Sequence, residues 1–490
     1  MATALNEVLL DQALSQLESA RPWSPRVISK LEAHLHTAED RGLFRVNPIL
    51  FGKEKGIAEE EAITLLLHAA KVGLFEMEWH LVCPLCSQYV SSFSSLKHVQ
   101  SSFRCATCHV DGTATLDDYI EITFTLSPSI RRLVYHDPDR LSPLDYLREY
   151  RWAQGARFSD GGLFIDMLTG TAICVDYVDP GETKTYTTTL ARGILTSSEV
   201  ISHGEFVVVI TGEPVQELQR IVASYIDGHV EIDHKKIAPG PCEIVITNSG
   251  AHRAAIEVHQ VADEYIETMY DEVLVFPEFL TGTRLIMNQT FRDLFTAETI
   301  NPTSGLGVKS VSILFTDLKG STELYDRIGD LEAFALIQQH FDRLGAVIRD
   351  HGGIVIKTIG DAIMASFMRP SDAVLAAIAI LTEVDSFNEE HHAQQIILKL
   401  GVHTGASIAV TLNERLDYFG QTVNIASRVE GLANANEIVI TEEVFRSPGV
   451  ADIIASYRVH SGHAQLKGVQ KGHLIHRITL KDPSLLESAS

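Results

Sequence analysis

The sequence predicts a multidomain protein of the α+β class. Three observations predict it. The chain of 490 residues has room for about three domains at the usual ~100–200 residues each. Hydrophobic content of 45% and charged content of 21% are those of a globular protein. Residue spacing also changes three times along the chain, from helical to strand-like, back to helical and then to a regular alternation of the two.

Charge excludes several roles. The formal net charge is −24 and no Lys/Arg-rich block stands out, which argues against broad attraction to DNA, RNA or an anionic membrane. The longest apolar runs, such as "FVVVI" at 206–210, fall far short of the ~20 residues a membrane helix needs. The first thirty residues contain Glu7, Asp11 and Glu18 and lack the apolar core of a signal peptide, so the expected location is the cytoplasm, without stable membrane association.

Residues 1–80 read as helical. "EAITLLLHAAKVGLF" puts Ile63, Leu66, Leu67 and Ala70 on one face, and Gly73 sits where a helix C-cap belongs. Such helices are compatible with a winged-helix module, but 8 Lys+Arg against 12 Asp+Glu make the region net acidic. A DNA reader needs the opposite balance, so no nucleic-acid partner is expected.

Residues 81–115 form an insert with two short Cys knuckles, "CPLC" and "CATC". Cys83, Cys86, Cys105 and Cys108 give C-x2-C-x18-C-x2-C, the spacing of a zinc-ribbon-like site in which four cysteines hold Zn2+. "CATCH" also fits covalent haem attachment, but that requires export and leaves Cys83 and Cys86 idle. Cys174 and Cys242 read as buried strand residues.

From 116 to 262 short β-rich runs are split by Gly, Pro and Asp: "YIEITFTL", "GLFIDML", "AICVDYV", "TYTTTLA", "EFVVVITG", "CEIVITN" and "AAIEVHQVA". Even spacing of this kind suggests a β-sandwich-like domain or a partly open barrel. Residues 263–307 return to helical spacing, as a transducer that ends in the linker-like "NPTSGLGVKS".

Residues 308–480 alternate strand and helix in the order β-α-β-β-α-β, the ferredoxin-like arrangement. Phe334, Ile337, Phe341, Leu344 and Ile348 recur at steps of three and four, so helix 331–350 packs one face on a sheet. "IVIKTIGDAIMASF" reads as a hairpin turning at Gly360-Asp361.

The chemistry is concentrated in this last segment. In "LFTDLKGSTELYDRIGD" a strand ends on Asp317 and passes at once into Gly320, Ser321 and Thr322, which leave backbone amides bare. A phosphate held with a metal uses both features. The fold brings Asp317 near the hairpin tip that carries Asp361, and two carboxylates that close repel unless a divalent cation lies between them. Magnesium, which accepts carboxylates together with phosphate oxygens, is the expected ion. Asn424 and Arg428, four apart in "QTVNIASRV", share one helix face.

These residues resemble the catalytic domain of the class III nucleotidyl cyclases. "FTDLKGST" is similar to the family's first metal motif, and "KTIGDAIMASF" to the hairpin with a substrate-selecting Lys357 and the second metal ligand Asp361. "LDYFGQTVNIASRVEGLA" resembles the segment with the second base-reading residue, Asp417, followed by Asn424 and Arg428. "LKGV" resembles the triphosphate-binding lysine motif and points to Lys467. Arg415 does not clearly match the extra phosphate-contacting arginine of some members, and His351 and His403 match no catalytic position.

The resemblance implies an adenylate cyclase that converts ATP to 3′,5′-cyclic AMP and pyrophosphate with two Mg2+ (or Mn2+) ions per site. Asp317, Asp361 and the carbonyl of Leu318 would hold metal. The backbone at Leu318, Lys319, Gly320, Ser321 and Thr322 would cradle phosphate. Asn424 would orient the ribose and Arg428 would neutralise charge at the α-phosphate. A Lys/Asp pair matches adenine, whereas guanylyl cyclases usually carry other residues there. The family builds its site between two domains, so a head-to-tail homodimer is expected. A guanylate cyclase, a catalytically silent nucleotide-binding receptor and a zinc-dependent DNA-binding regulator are the alternatives. The sequence names no regulatory ligand or protein.

Overall fold

The computed structural model describes residues 4–480 except 84, 86, 106–109, 118–119, 154–155, 200–203, 235, 264–274, 302–304, 392–395 and 467–471. The chain divides into two units. One comprises Met1–Ser94, Ser102–Ala114 and Asp118–Leu280, the other Ser95–Ser101, Thr115–Asp117 and Thr281–Ser490. Among the described residues no helix is long and apolar enough to cross a membrane.

In the first unit the expected helices form where caps start them. The Asn6 side chain accepts from Leu9 N at the start of Glu7–Ala20, and Asn47 accepts from Ile49 N and Leu50 N at the start of Pro48–Lys55. Gly56, at φ +58°, ends the latter helix in a left-handed cap. Glu59–Lys71 buries Ile63, Leu66 and Leu67, while Ala70 is only half-buried. The strand that follows, Phe75–Val82, pairs antiparallel with Tyr89–Phe93 and with Ile120–Leu126. "YIEITFTL" therefore belongs with the helices and not with the strands beyond 172.

Cys83 and Cys105 are both buried, and Cys105 Sγ lies 3.4 Å from Gln88 Oε1. Cys86 and Cys108 lie outside the described residues. Among the described residues no three His, Cys, Asp or Glu side chains come together as a metal cluster, so the structure gives the zinc expectation no support.

Residues 172–262 form two four-stranded sheets. One runs in the order His229–His234, Gln219–Ile226, Gly240–Asn248, Thr183–Leu190; the other runs Ala172–Val178, Ala254–Ala262, Gly193–Glu199, Glu205–Ile210. They enclose a shared core that includes Val178, Leu195, Phe206, Ile221, Ile244 and Ile256. Alternation selects the inner face: Phe206, Val208 and Ile210 are buried while Val207 and Val209 are exposed. "GLFIDML" is corrected from strand to helix, Phe164–Thr171, because Phe164 and Leu168, four apart, are the residues it buries. Cys242 is buried as expected and Cys174 half-buried.

A buried ion network crosses this unit. Arg151 Nε lies 2.7 Å from Glu257 Oε1, Ser198 Oγ donates to the same carboxylate at 2.6 Å, and His259 Nε2 is 3.2 Å from Glu257 Oε2. Burial alone would push the Glu257 carboxyl up; the Arg151 guanidinium and His259 outweigh it and hold it down at about 2.

The second unit contains an eight-stranded sheet. Its main path runs Gly353–Ile359, Ala362–Phe367, Leu306–Leu318, Leu398–Leu412, Glu437–Thr441, His473–Thr479, Arg458–Ala464, and Arg415–Phe419 pairs with Leu398–Leu412 off that path. The first four strands with helices Asp330–Asp350 and Pro370–Glu390 make the expected β-α-β-β-α-β order. The helices cover one face through Ile337, Leu344, Ile348, Ala377, Ile380 and Val384. Phe334 is corrected from core to surface at 59% exposure, because the buried stripe runs through Ala333, Leu336 and Ile337 instead. In the described part of 263–307 the helices are short, Gly282–Ile286 and Gln289–Leu294, and not one continuous transducer helix.

Glu257→Gln leaves Arg151 with a weakened partner in a buried site, and urea unfolding should show a loss of roughly 3–5 kcal/mol. Because the native carboxyl titrates below its unfolded value, the stabilisation is present above the ordinary carboxylate range and disappears as pH falls toward about 2.

Candidate active site

Strand pairing brings the two aspartates together. Thr316 pairs with Ile363 across the Leu306–Leu318 and Ala362–Phe367 strands, so Asp317 projects beside the turn that joins Ile359 to Ala362. That turn is Gly360-Asp361, as the sequence indicated, with Gly360 at φ +64°. Asp361 Oδ2 is buried and has no hydrogen-bond partner among the described residues. An orphaned carboxylate oxygen beside a second carboxylate fits a divalent cation.

Two further charged groups lie here that sequence reasoning missed. Lys399 is the cross-strand partner of Asp317; its Nζ is 2.7 Å from Asp317 Oδ2 and 3.1 Å from Glu430 Oε1. Burial raises the Glu430 carboxyl, and the nearby Asp317 and Asp361 add to that rise against the pull of Lys399. Burial works to lower the Lys399 ammonium, but its bonds to Asp317 and Glu430 prevail and raise it. The available signal was the strand register, which sets Lys399 opposite Asp317 once the pairing is known.

After Asp317 the backbone enters the helix Ser321–Ile328 through Gly320, at φ +77°. The first intrahelical bond there runs from Leu324 N to Gly320 O, which leaves the amides of Ser321 and Thr322 at an open helix N-terminus. Lys319 differs from expectation: its amide donates to Ile397 O at 2.8 Å and is committed to the sheet.

Lys357 and Asp417 meet directly. Lys357 Nζ is 2.5 Å from Asp417 Oδ2, and Asp417 Oδ1 accepts from Tyr418 N at 2.8 Å. Asp417 is only 7% exposed, whereas the Lys357 side chain is 37% exposed. A bulge between Val355 and Lys357 shifts the register just before the lysine.

Asn424 and Arg428 lie on the helix Gln421–Glu430, exposed and half-buried respectively. That helix buries Ile425 and Val429 against Leu466 and Ile475. It approaches the sheet closely at Gly401, where a Cβ would lie 2.2 Å from Glu430 N. Lys467 lies outside the described residues, but its neighbour Leu466 is buried under this helix. His403 is buried against Thr441 Oγ1 at 2.8 Å, and burial lowers its pKa to about 4, so it stays neutral near pH 7.

These features are those of a class III nucleotidyl cyclase catalytic domain, and residues 307–477 match the family model described as the adenylate and guanylate cyclase catalytic domain. Residues 10–293 match a model described as a family of unknown function, DUF5939. The chain belongs to that family and carries the cyclase domain C-terminal to it. It is 31% identical over 185 residues to an adenylate cyclase of Anabaena cylindrica, covering 35% of this chain and 37% of that one. It is 30% identical over 138 residues to adenylate cyclase 1 of Rhizobium meliloti, covering 25% of this chain and 21% of the relative. The chain thus spans little more than a third of the first relative and less of the second. A solved structure, the adenylyl cyclase CyaB from P. aeruginosa, is 21% identical with a TM-score of 0.33, over 36% of this chain and 97% of that chain.

Gly401→Ala should force the helix Gln421–Glu430 off the sheet, since a Cβ meets backbone there. Thermal melting should show destabilisation of about 1–3 kcal/mol.

Proposed function

We propose that the protein is an adenylate cyclase that converts ATP to 3′,5′-cyclic AMP and pyrophosphate at sites shared between two copies of the chain. The observation that carries the choice of ATP is the Lys357–Asp417 pair, a donor and an acceptor 2.5 Å apart with the acid buried. Adenine offers an N1 acceptor and an N6 donor, which such a pair can read. Guanine presents the reverse edge and would leave both groups mismatched.

Asp317, Asp361 and the Leu318 carbonyl would hold two Mg2+ (or Mn2+) ions, whose Lewis-acid chemistry would lower the pKa of the 3′-hydroxyl and neutralise the triphosphate. The chain's own groups do the rest. The Ser321 and Thr322 amides receive phosphate, and Lys467 is the proposed contact of its far end. Asn424 orients the ribose. Arg428 neutralises charge that builds on the α-phosphate as the 3′-oxygen bonds to phosphorus and the bond to the pyrophosphate oxygen breaks. The hydroxyl proton leaves to solvent, since His403 is neutral, buried and bonded elsewhere.

Two features support a homodimer. Among the described residues neither Asn424 nor Arg428 has a side-chain hydrogen bond within its own chain. Large apolar side chains also stand exposed beside the site residues, at Ile359 (50%), Ile408 (43%), Leu412 (44%) and Phe419 (63%). A zinc ion at Cys83, Cys86, Cys105 and Cys108 rests on spacing alone.

Changing Lys357 to Glu together with Asp417 to Cys should weaken ATP use far more than GTP use. Equal loss for both nucleotides, measured as kcat/KM, would place base reading elsewhere.

Asp317→Ala and Arg428→Ala should each inactivate the homodimer. Co-expressed, they should recover roughly a quarter of wild-type turnover, because about half the dimers are mixed and one of two sites in each is intact. Mixed dimers that form but yield no cyclic nucleotide would refute the shared site.

A further inference from the structure

Asp417 sits on a short strand off the main path of the sheet. Among the described residues Arg415–Phe419 pairs only with Leu398–Leu412. Beside it lies a cleft of about 1000 Å³, lined among others by Arg292, Phe295 and Thr299, by Val355 and Ile356 from the Lys357 strand, and by Arg415. Leu416, Asp417 and Tyr418 are buried on this arm, while its ends at Arg415 and Phe419 are exposed.

Arg292 reaches this arm from the segment that precedes the catalytic sheet. The Asn288 side chain caps the helix Gln289–Leu294 by accepting from Phe291 N at 3.0 Å, and Phe291 is fully buried, so the helix is seated firmly. The next residue, Arg292, donates through Nη2 to the Leu416 carbonyl and through Nη1 to the Ile286 carbonyl at 3.3 Å. The Leu416 carbonyl belongs to the peptide plane whose nitrogen is that of Asp417. A guanidinium on that carbonyl fixes the plane from which the Asp417 side chain departs. Two more ties hold the same segment: Ile300 N donates to Thr411 Oγ1 at 2.7 Å, and Glu298 Oε2 accepts from Ser95 Oγ at 3.0 Å and Leu96 N at 2.8 Å.

We propose that Arg292 is a positioning residue for base selection, holding the peptide before Asp417 so that its carboxylate meets both Lys357 and the adenine edge. Arg292 makes no contact with the nucleotide in this scheme and acts through the Leu416 carbonyl, with its charge also near Asp417. The proposal rests on the cyclase reading above. It predicts a particular signature, because misplacing a buried acceptor weakens the matched base more than the mismatched one.

The test uses the full chain with Arg292→Met, which keeps length and removes the donors, and Arg292→Lys, which keeps a charged donor. Values of kcat and KM are measured for ATP and for GTP, with dissociation constants for both nucleotides in parallel. Arg292→Met should raise KM for ATP and narrow the ATP:GTP ratio of kcat/KM by about tenfold, with kcat changed by less than about threefold; Arg292→Lys should recover most of the ratio. If Arg292→Met does not fold, Arg292→Gln, whose shorter amide does not reach the Leu416 carbonyl, is read the same way. A lowered melting temperature with an unmoved ratio overturns the proposal, as does a fall in kcat that spares KM. A wild type that makes no cyclic nucleotide overturns the cyclase reading, while the ratio of dissociation constants still judges Arg292.

Discussion

The ion pairs of Lys399 with Asp317 and Glu430 tie the strand that ends at Asp317 to the helix Gln421–Glu430, and the arrangement of the site depends on that tie. Lys399 engages Asp317 and Glu430 and leaves Asp361 Oδ2 buried, without a partner among the described residues. The Lys399 contacts go to Asp317 and Glu430, and Asp361 Oδ2 is not among them. The geometry follows from this. Glu430 reaches Lys399 only because its helix lies against Gly401, and that same close approach fixes how the helix presents Asn424 and Arg428.

The pair proposed to read the base, Lys357 and Asp417, is arranged differently. Asp417 is almost fully buried, so its charge needs a permanent partner, and Lys357 provides one. A nucleotide must then offer hydrogen bonds at least as good as those it disturbs. Adenine can accept from the lysine and donate to the carboxylate while the two remain close. On the proposed reading, a base with the reverse edge would leave a buried charge facing an unmatched group, so discrimination would reside in burial as much as in residue identity.

What the sequence revealed depended on range. Asp317 at a strand end, the Gly360-Asp361 turn and the four-residue step from Asn424 to Arg428 are local features, and each stands where local reasoning put it. Lys399 and Glu430 were invisible because a single lysine in a strand and a single glutamate late in a helix carry no signal until register and packing place them together. The helix Phe164–Thr171 was misread because a short apolar run fits both periods, and Phe334 because the buried stripe of its helix runs through Ala333, Leu336 and Ile337. Residues 95–101 and 115–117 illustrate the longest range. By sequence they fall in the cysteine-bearing insert and at the start of the β-rich segment, yet they pack in the catalytic unit, where Leu116 N donates to Gly307 O at the start of the Asp317 strand.

The exposed apolar residues connect this arrangement to assembly. Ile408 and Phe419 are cross-strand partners on the arm that carries Asp417, and Ile359 adjoins the turn that carries Asp361. Fully burying a side chain of that size contributes roughly 1.5–3 kcal/mol, so a second chain seated on these residues would gain most where the site residues are least supported. Covering Ile408 and Phe419 would add contacts to the arm that carries Asp417, and covering Ile359 would add contacts beside the turn that carries Asp361. In the proposed dimer, association and ordering of the site are then one event: the hydrophobic surface that drives pairing lies on the same two hairpins whose tips must be held still for metal and base to be recognised.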